Sequence, residues 1–166
     1  MLIDSELRAL STLFFVIIIS ISSCTDKQKD IDDDTPEYID TTTLISSYGG
    51  KLSHNTGTDC QTCHQKGGNG RAWFTVSGTV YDSTMKQVSP NSTARIYDGL
   101  DSSGLLIATI EVDSFGNFYS TQKIDYENGL HVEVEGKTIT AKMGSLIHSG
   151  SCNKCHGVTT NRIWVK

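Results

Sequence analysis

Two stretches of this chain have residue types and spacing that can do chemistry, Cys60-Gln61-Thr62-Cys63-His64 and Cys152-Asn153-Lys154-Cys155-His156. Both have the form Cys-x-x-Cys-His, the attachment signature of c-type haem. Two thiols at this spacing reach the two vinyl groups of a porphyrin, and the His that follows puts its imidazole at the iron. Five Cys and five His scattered over 166 residues would give roughly 0.004 such pentapeptides by chance, so two are not an accident of composition. Other thiol chemistry fits less well. A four-thiolate zinc site joins Cys-x-x-Cys units about 15–20 residues apart, far closer than Cys63 and Cys152. Local disulfides or a redox dithiol need no His after each second Cys. The expectation is two haem c groups, attached at Cys60, Cys63, Cys152 and Cys155, with His64 and His156 as iron ligands.

The likeness of the two units extends outward. Leu52-Ser53-His54 precedes the first and Leu146-Ile147-His148 the second, while Arg71-Ala72-Trp73 and Arg162-Ile163-Trp164 follow them. One pocket design used twice is the simplest reading. His54 and His148 are then candidates for the second axial position, each folding back over the opposite haem face, on its own haem or on the other unit's. The competing reading makes them surface His in Ser/Gly-rich loops. His131 and Met143 are substitutes, since Met is also an axial ligand. Arg71 and Arg162 are placed to pair with haem propionates, where guanidinium binds carboxylate bidentately. Trp73 and Trp164 are candidates to lie against the porphyrin, or else strand-start residues of a core.

The elements that position these residues follow from the rest of the chain. The length is one domain's worth, with 37% hydrophobic residues and 15 Gly, a composition that suits a turn-rich β domain. A net charge of −5 without clustered Lys and Arg argues against nucleic acid as a partner. Residues 1–23 read as a signal peptide, with the apolar run Leu13–Ile21 too short to span a membrane comfortably. Residues 24–50 read as an acidic tether, rich in Asp and poor in residues that could bury surface. The first haem segment is expected at 51–72, a β-sandwich at 73–145 and the second haem segment at 146–166.

Within the sandwich, strands are expected at Trp73–Tyr81, Ala94–Tyr97, Leu105–Val112, Phe118–Ser120, Leu130–Glu135 and Lys137–Lys142. Turns are marked by Ser89-Pro90-Asn91, Asp113–Asn117 and Asn128-Gly129, and a hairpin closes at Glu135-Gly136. The fold class is mostly β, an antiparallel sandwich flanked by two loop-rich haem segments. Six antiparallel strands return the chain to the pole where it began, so both haem segments are expected at one end; one strand more would put them at opposite ends, a strand length of about 17–20 Å apart.

Several of these stretches resemble known families. Ile21-Ser22-Ser23-Cys24 resembles a bacterial lipobox, which implies acylation of Cys24, membrane attachment through that lipid and export to the outer membrane or cell surface. Lys29-Asp30-Ile31-Asp32-Asp33-Asp34 resembles the surface-export tag of Bacteroidota lipoproteins, or is a solvated spacer. Gly78-x-Val80-x-Asp82, Ala94-x-Ile96-x-Asp98 and Asp113-x-x-Gly116-x-Phe118 look like the carboxypeptidase regulatory-like (transthyretin-like) sandwich. That resemblance covers about residues 73–143 and implies a structural module with no catalytic residues. The whole chain is similar to small secreted multihaem cytochromes with an embedded sandwich. If protein ligands fill both axial positions of each haem, no site remains for oxygen, peroxide or substrate, so the expectation is an electron carrier rather than an enzyme, passing electrons between redox partner proteins or neighbouring copies of itself. The other classes are a dihaem peroxidase or reductase with one open iron, and a surface binding module.

Overall fold

The computed structural model describes residues 43–166. The signal segment, Cys24 and the tether up to residue 42 lie outside the described residues. The described part is mostly β, with eight strands and two single 3-10 turns. The strands are β1 (Val76–Tyr81), β2 (Thr93–Asp98), β3 (Leu105–Glu111), β4 (Asn117–Ser120), β5 (Leu130–Glu135), β6 (Thr140–Lys142), β7 (Gly150–Ser151) and β8 (Ile163–Trp164). Among the described residues no helix is long and apolar enough to cross a membrane.

Two sheets share one core. In the first, β1 is antiparallel to β4, with Val76 opposite Ser120 and Gly78 opposite Phe118, and parallel to both β7 and β8. The second runs β3-β2-β5-β6, antiparallel throughout. Period-2 alternation decides which side chains meet. Val76 and Val80 of β1 and Phe118 of β4 face Ala94, Ile96, Ile110, Val132 and Val134 of the second sheet in one buried cluster. On β5 the intervening His131 and Glu133 take the outer face.

Seven strands, β1 to β7, separate the two motifs, and the first six match the strands expected from the sequence apart from their ends. Three differences have local causes. The first strand begins at Val76 rather than Trp73 because the preceding backbone is engaged elsewhere: Phe74 N–H donates to His64 O at 2.9 Å. The stretch 43–50, expected as the end of the tether, is held to both sheets: Ser46 is buried, its N–H donates to Tyr119 O of β4 at 3.0 Å and its hydroxyl to Glu111 O of β3 at 2.6 Å. Ile163-Trp164-Val165, which has the character of a strand able to join a neighbour's sheet, is used internally. β8 pairs with β1, Val165 N–H donates to Tyr81 O, and the Val165 side chain is fully buried.

The second motif occupies an unusual place. β7 and β8 lie along the same edge of β1, opposite Val76–Ser77 and Val80–Tyr81 respectively. Residues 152–162 are thus a loop thrown out of one interrupted strand. The backbone partner that β1 loses in the gap is replaced by a side chain, since Asn153 Oδ1 accepts from Thr79 N–H at 3.1 Å.

Candidate haem-binding sites

Both pentapeptides fold into the same turn. Cys63 N–H and His64 N–H donate to Cys60 O at 3.1 and 2.9 Å, and Cys155 N–H and His156 N–H donate to Cys152 O at 3.2 and 2.9 Å. A tight turn of this kind sets the two cysteines of each motif side by side and sends the His out beyond them. Asp59 caps the first turn by accepting from Gln61 N–H at 3.1 Å, which satisfies a donor the short turn cannot use itself.

In each motif the imidazole is anchored through Nδ1. His64 Nδ1 lies 2.8 Å from Arg71 O and His156 Nδ1 lies 2.7 Å from Asn161 O. A carbonyl can only accept, so Nδ1 carries the proton and Nε2 keeps a lone pair for a metal. The chain has to return closely to make the first of these bonds. A Cβ on Gly70 would come within 2.7 Å of His64 Nδ1, so a residue without a side chain precedes Arg71.

Each motif lines a cavity of its own. The first, of about 350 Å³, is bordered by Cys60, Cys63, His64, His54 and Arg71, with Leu44, Ile45, Leu52, Phe74 and Tyr119 as apolar walls. The second, of about 410 Å³, is bordered by Cys152, Cys155, His156, His148, Arg162, Trp164 and Met143, with Phe118, Val132 and Val134 behind them. These volumes fall in the range of ligand-binding cavities, about 300–1,000 Å³. The cavities lie on opposite faces of the first sheet. Phe118 of β4 points into the second cavity, and its neighbours Asn117 and Tyr119 point into the first.

Ten of the residues singled out in the sequence, four Cys, four His and two Arg, line the two cavities, and each second His lies in the cavity of its own motif. The ring centres of His54 and His64 are 5.8 Å apart. Two imidazole–metal bonds of about 2 Å each call for ring centres roughly 6 Å apart, close to this separation. The aromatic wall of the first cavity is not Trp73, which is half exposed and away from the lining. Its place is taken by Phe74, stacked on His64 at 4.2 Å and 7°, and by Tyr119, stacked on Phe74 at 4.8 Å. His131 lines neither cavity; it is buried on the outer face of β5, 3.2 Å from Glu133 Oε1. Met143 does border the second cavity. Arg162 lies along the rim, its guanidinium 4.4 Å over the Tyr81 ring and donating to Met85 O at 2.7 Å.

The thiols sit in different settings. Burial pushes the Cys152 thiol up to about 12, reinforced by the neighbouring Cys60, and burial likewise raises Cys60. Both are neutral thiols at ordinary pH. Cys60, Cys152 and Cys155 are free, and Cys63 is held in a disulfide, which attachment at that position requires to be reduced first. Among the described residues no three His, Cys, Asp or Glu side chains converge on a point where they could hold a bare metal ion. The donor sets fit a metal that brings its own equatorial ligands, as haem does: one or two imidazoles, two thiols and an apolar slot. Phe74, Tyr119, Asp59 and Asn153 carry no signal in the sequence, because their roles arise from chain segments brought together only by folding. No family model matches the chain, and neither a curated protein nor a solved structure matches it.

Proposed function

We propose that the chain is a dihaem c-type cytochrome that transfers electrons at the cell surface. The observation that carries this reading is the duplication of one arrangement: two cysteines, an imidazole anchored at Nδ1 and a second His, each set lining its own cavity. Each haem, when bound, supplies a one-electron ferric/ferrous couple. The chain's residues hold and shield that couple. His64 and His156 present Nε2, held by carbonyl acceptors that raise ligand basicity. His54 and His148, each lining the cavity of its own motif, would supply the second imidazole to a bound haem and so exclude oxygen or peroxide from the iron. Leu44, Ile45, Phe74, Phe118 and Val132 exclude water, which limits solvent reorganisation when charge changes. Arg71 and Arg162 border the cavities where carboxylates of the porphyrin would emerge.

The sandwich between the motifs is read as a carboxypeptidase regulatory-like (transthyretin-like) scaffold with no chemistry of its own. Acylation of Cys24 would anchor the chain to the outer membrane, each buried CH₂ of the acyl chains contributing about 0.8 kcal/mol. Partners are then redox proteins or further copies of this chain, and a filament of copies is one form such an assembly would take.

Mass spectrometry of the exported mature protein tests the reading. The expected mass exceeds that of polypeptide plus lipid by two haems, and both ferric spectra are low spin and unmoved by cyanide. A mass equal to polypeptide and lipid alone overturns the proposal. Two haems with one high-spin, cyanide-binding iron would redirect it to a peroxidase or reductase.

A further inference from the structure

The two motifs are in direct contact, through residues that neither uses for haem. Asp59 stands immediately before Cys60 and Ser151 immediately before Cys152. The Ser151 hydroxyl donates to Asp59 Oδ1, the oxygen that also accepts from Gln61 N–H in the first motif's turn. One carboxylate oxygen thus caps its own motif and fastens the other. Asn153, inside the second motif and buried to 3% exposure, donates through Nδ2 to Thr58 O at 2.9 Å and to Thr79 Oγ1 at 2.8 Å. Its Oδ1 accepts from Thr79 N–H. All three of Asn153's polar contacts lie outside its own motif.

β1 runs between the two attachments. Ser77 comes within hydrogen-bonding reach of the Cys60 sulfur on one face. On the other, Gly78 lies so close to Cys152 that an added Cβ would sit 3.0 Å from the Cys152 Cβ. Consecutive residues of a strand point to opposite faces, so Cys60 and Cys152 back onto adjacent positions of one strand.

Resting on the dihaem reading, we infer that Asp59, Ser151 and Asn153 are positioning residues that lock the two haem sites into one coupled unit across β1. A locked arrangement would keep the charge on one iron at a fixed distance from the other, and like charges held in place at an effective dielectric of about 20 alter each other's electron affinity. Reducing either site therefore makes the other harder to reduce.

The test compares the native full-length holoprotein with Asn153→Ala by hydrogen exchange and by redox titration. In Asn153→Ala the amides of Gln61 and His64 are expected to exchange at least about tenfold faster, together with those of Cys155 and His156, as a bridge requires. The dependence of one midpoint on the other's oxidation state is expected to fall by half or more. Ser151→Ala removes only the bond to Asp59 and serves if the first variant does not fold; Ser151→Thr, which keeps a hydroxyl, should restore native exchange. Loosening confined to residues 152–156, or midpoints in the native protein that ignore each other, overturns the inference while leaving the dihaem reading intact. A chain that carries no haem overturns that reading instead, and the exchange measurement, which needs no haem, still decides the bridge.

Discussion

At the scale of single residues, the carbonyl acceptors of Arg71 and Asn161 are as much a part of the sites as the imidazoles they hold. Gly70→Ala would drive a methyl group against His64 Nδ1 and break its bond to Arg71 O. The expected result is a first-site haem ligated about 10–100-fold more weakly at its imidazole, seen as a shifted or high-spin band from one haem of the two. The second His of each unit is separable in the same way. His54→Ala should expose one iron to carbon monoxide or cyanide and leave the other inert. His148→Ala should do the converse, unless Met143, which borders the same cavity, takes the vacated position. A spectrum of thioether rather than nitrogen ligation would reveal that exchange.

At this scale the sequence was legible wherever chemistry is written in short, rigid spacing. Cys-x-x-Cys-His closes one turn whatever surrounds it, so its geometry travels with the pentapeptide. Trp73 shows where that logic stops. Its place in a repeated Arg-x-Trp suggested a wall for the porphyrin, but alternation along the chain entering β1 turns Phe74 to the cavity and Trp73 away. A difference of one residue in loop length between the two units is enough to change the face. Asn153 was illegible for another reason: a variable position of the motif has no prescribed role, and this one acquires its role from the gap in β1.

At the scale of elements, β1 to β6 were foreshadowed by alternating apolar residues and by turn-forming Asp-x-x-Gly and Asn-Gly, a pattern local enough to be read along the chain. What periodicity could not give is partner choice, above all the parallel pairing of β7 and β8 with β1. Phe118 makes the dependence of site on scaffold concrete, being 1% exposed in the core and also a wall of the second cavity. Phe118→Ala should cost about 3–5 kcal/mol in denaturant unfolding and weaken the environment of the second haem more than that of the first.

The outer face of β5 sets an acid limit on the fold. Burial alone would raise the Glu133 carboxyl, but hydrogen bonds from Lys142, Ser102 and His131 outweigh it and hold the group below its ordinary value of 4.5. A carboxyl depressed in the folded state adds stability above its unfolded value, and that stability is lost as pH falls through the folded one. Unfolding midpoints should therefore fall as pH drops from about 6 to 3, more steeply than in Glu133→Gln. That variant should already be about 1 kcal/mol less stable at the higher pH, from the loss of a charge-assisted bond within a nearly buried set.

At the scale of the whole molecule, the two motifs meet because β7, the seventh strand after the first motif, returns parallel to β1 and pairs with its start at Val76–Ser77. The expectation that both motif segments lie at one pole rested on a count of six strands that missed β7; what brings the motifs together is the contact of Ser151 with Asp59. The counting could not reveal that the sites share a strand and sit on its two faces. That arrangement follows from β1 lying between β4 and the interrupted β7–β8 edge.

A strand whose two faces serve different cavities is intolerant of slippage. A shift of one residue along β4 would turn every side chain of β1 to the opposite side, presenting Ser77 where Phe118 needs room and Gly78 where Cys60 has its neighbour. The misregistered chain could not merely lose some affinity at one site; it would hand each cavity the wall meant for the other. Gly78 opposite Phe118 is thus an alignment key, since only that position of β1 accepts the ring, and a bulkier residue there should yield chains that trap neither cofactor in place.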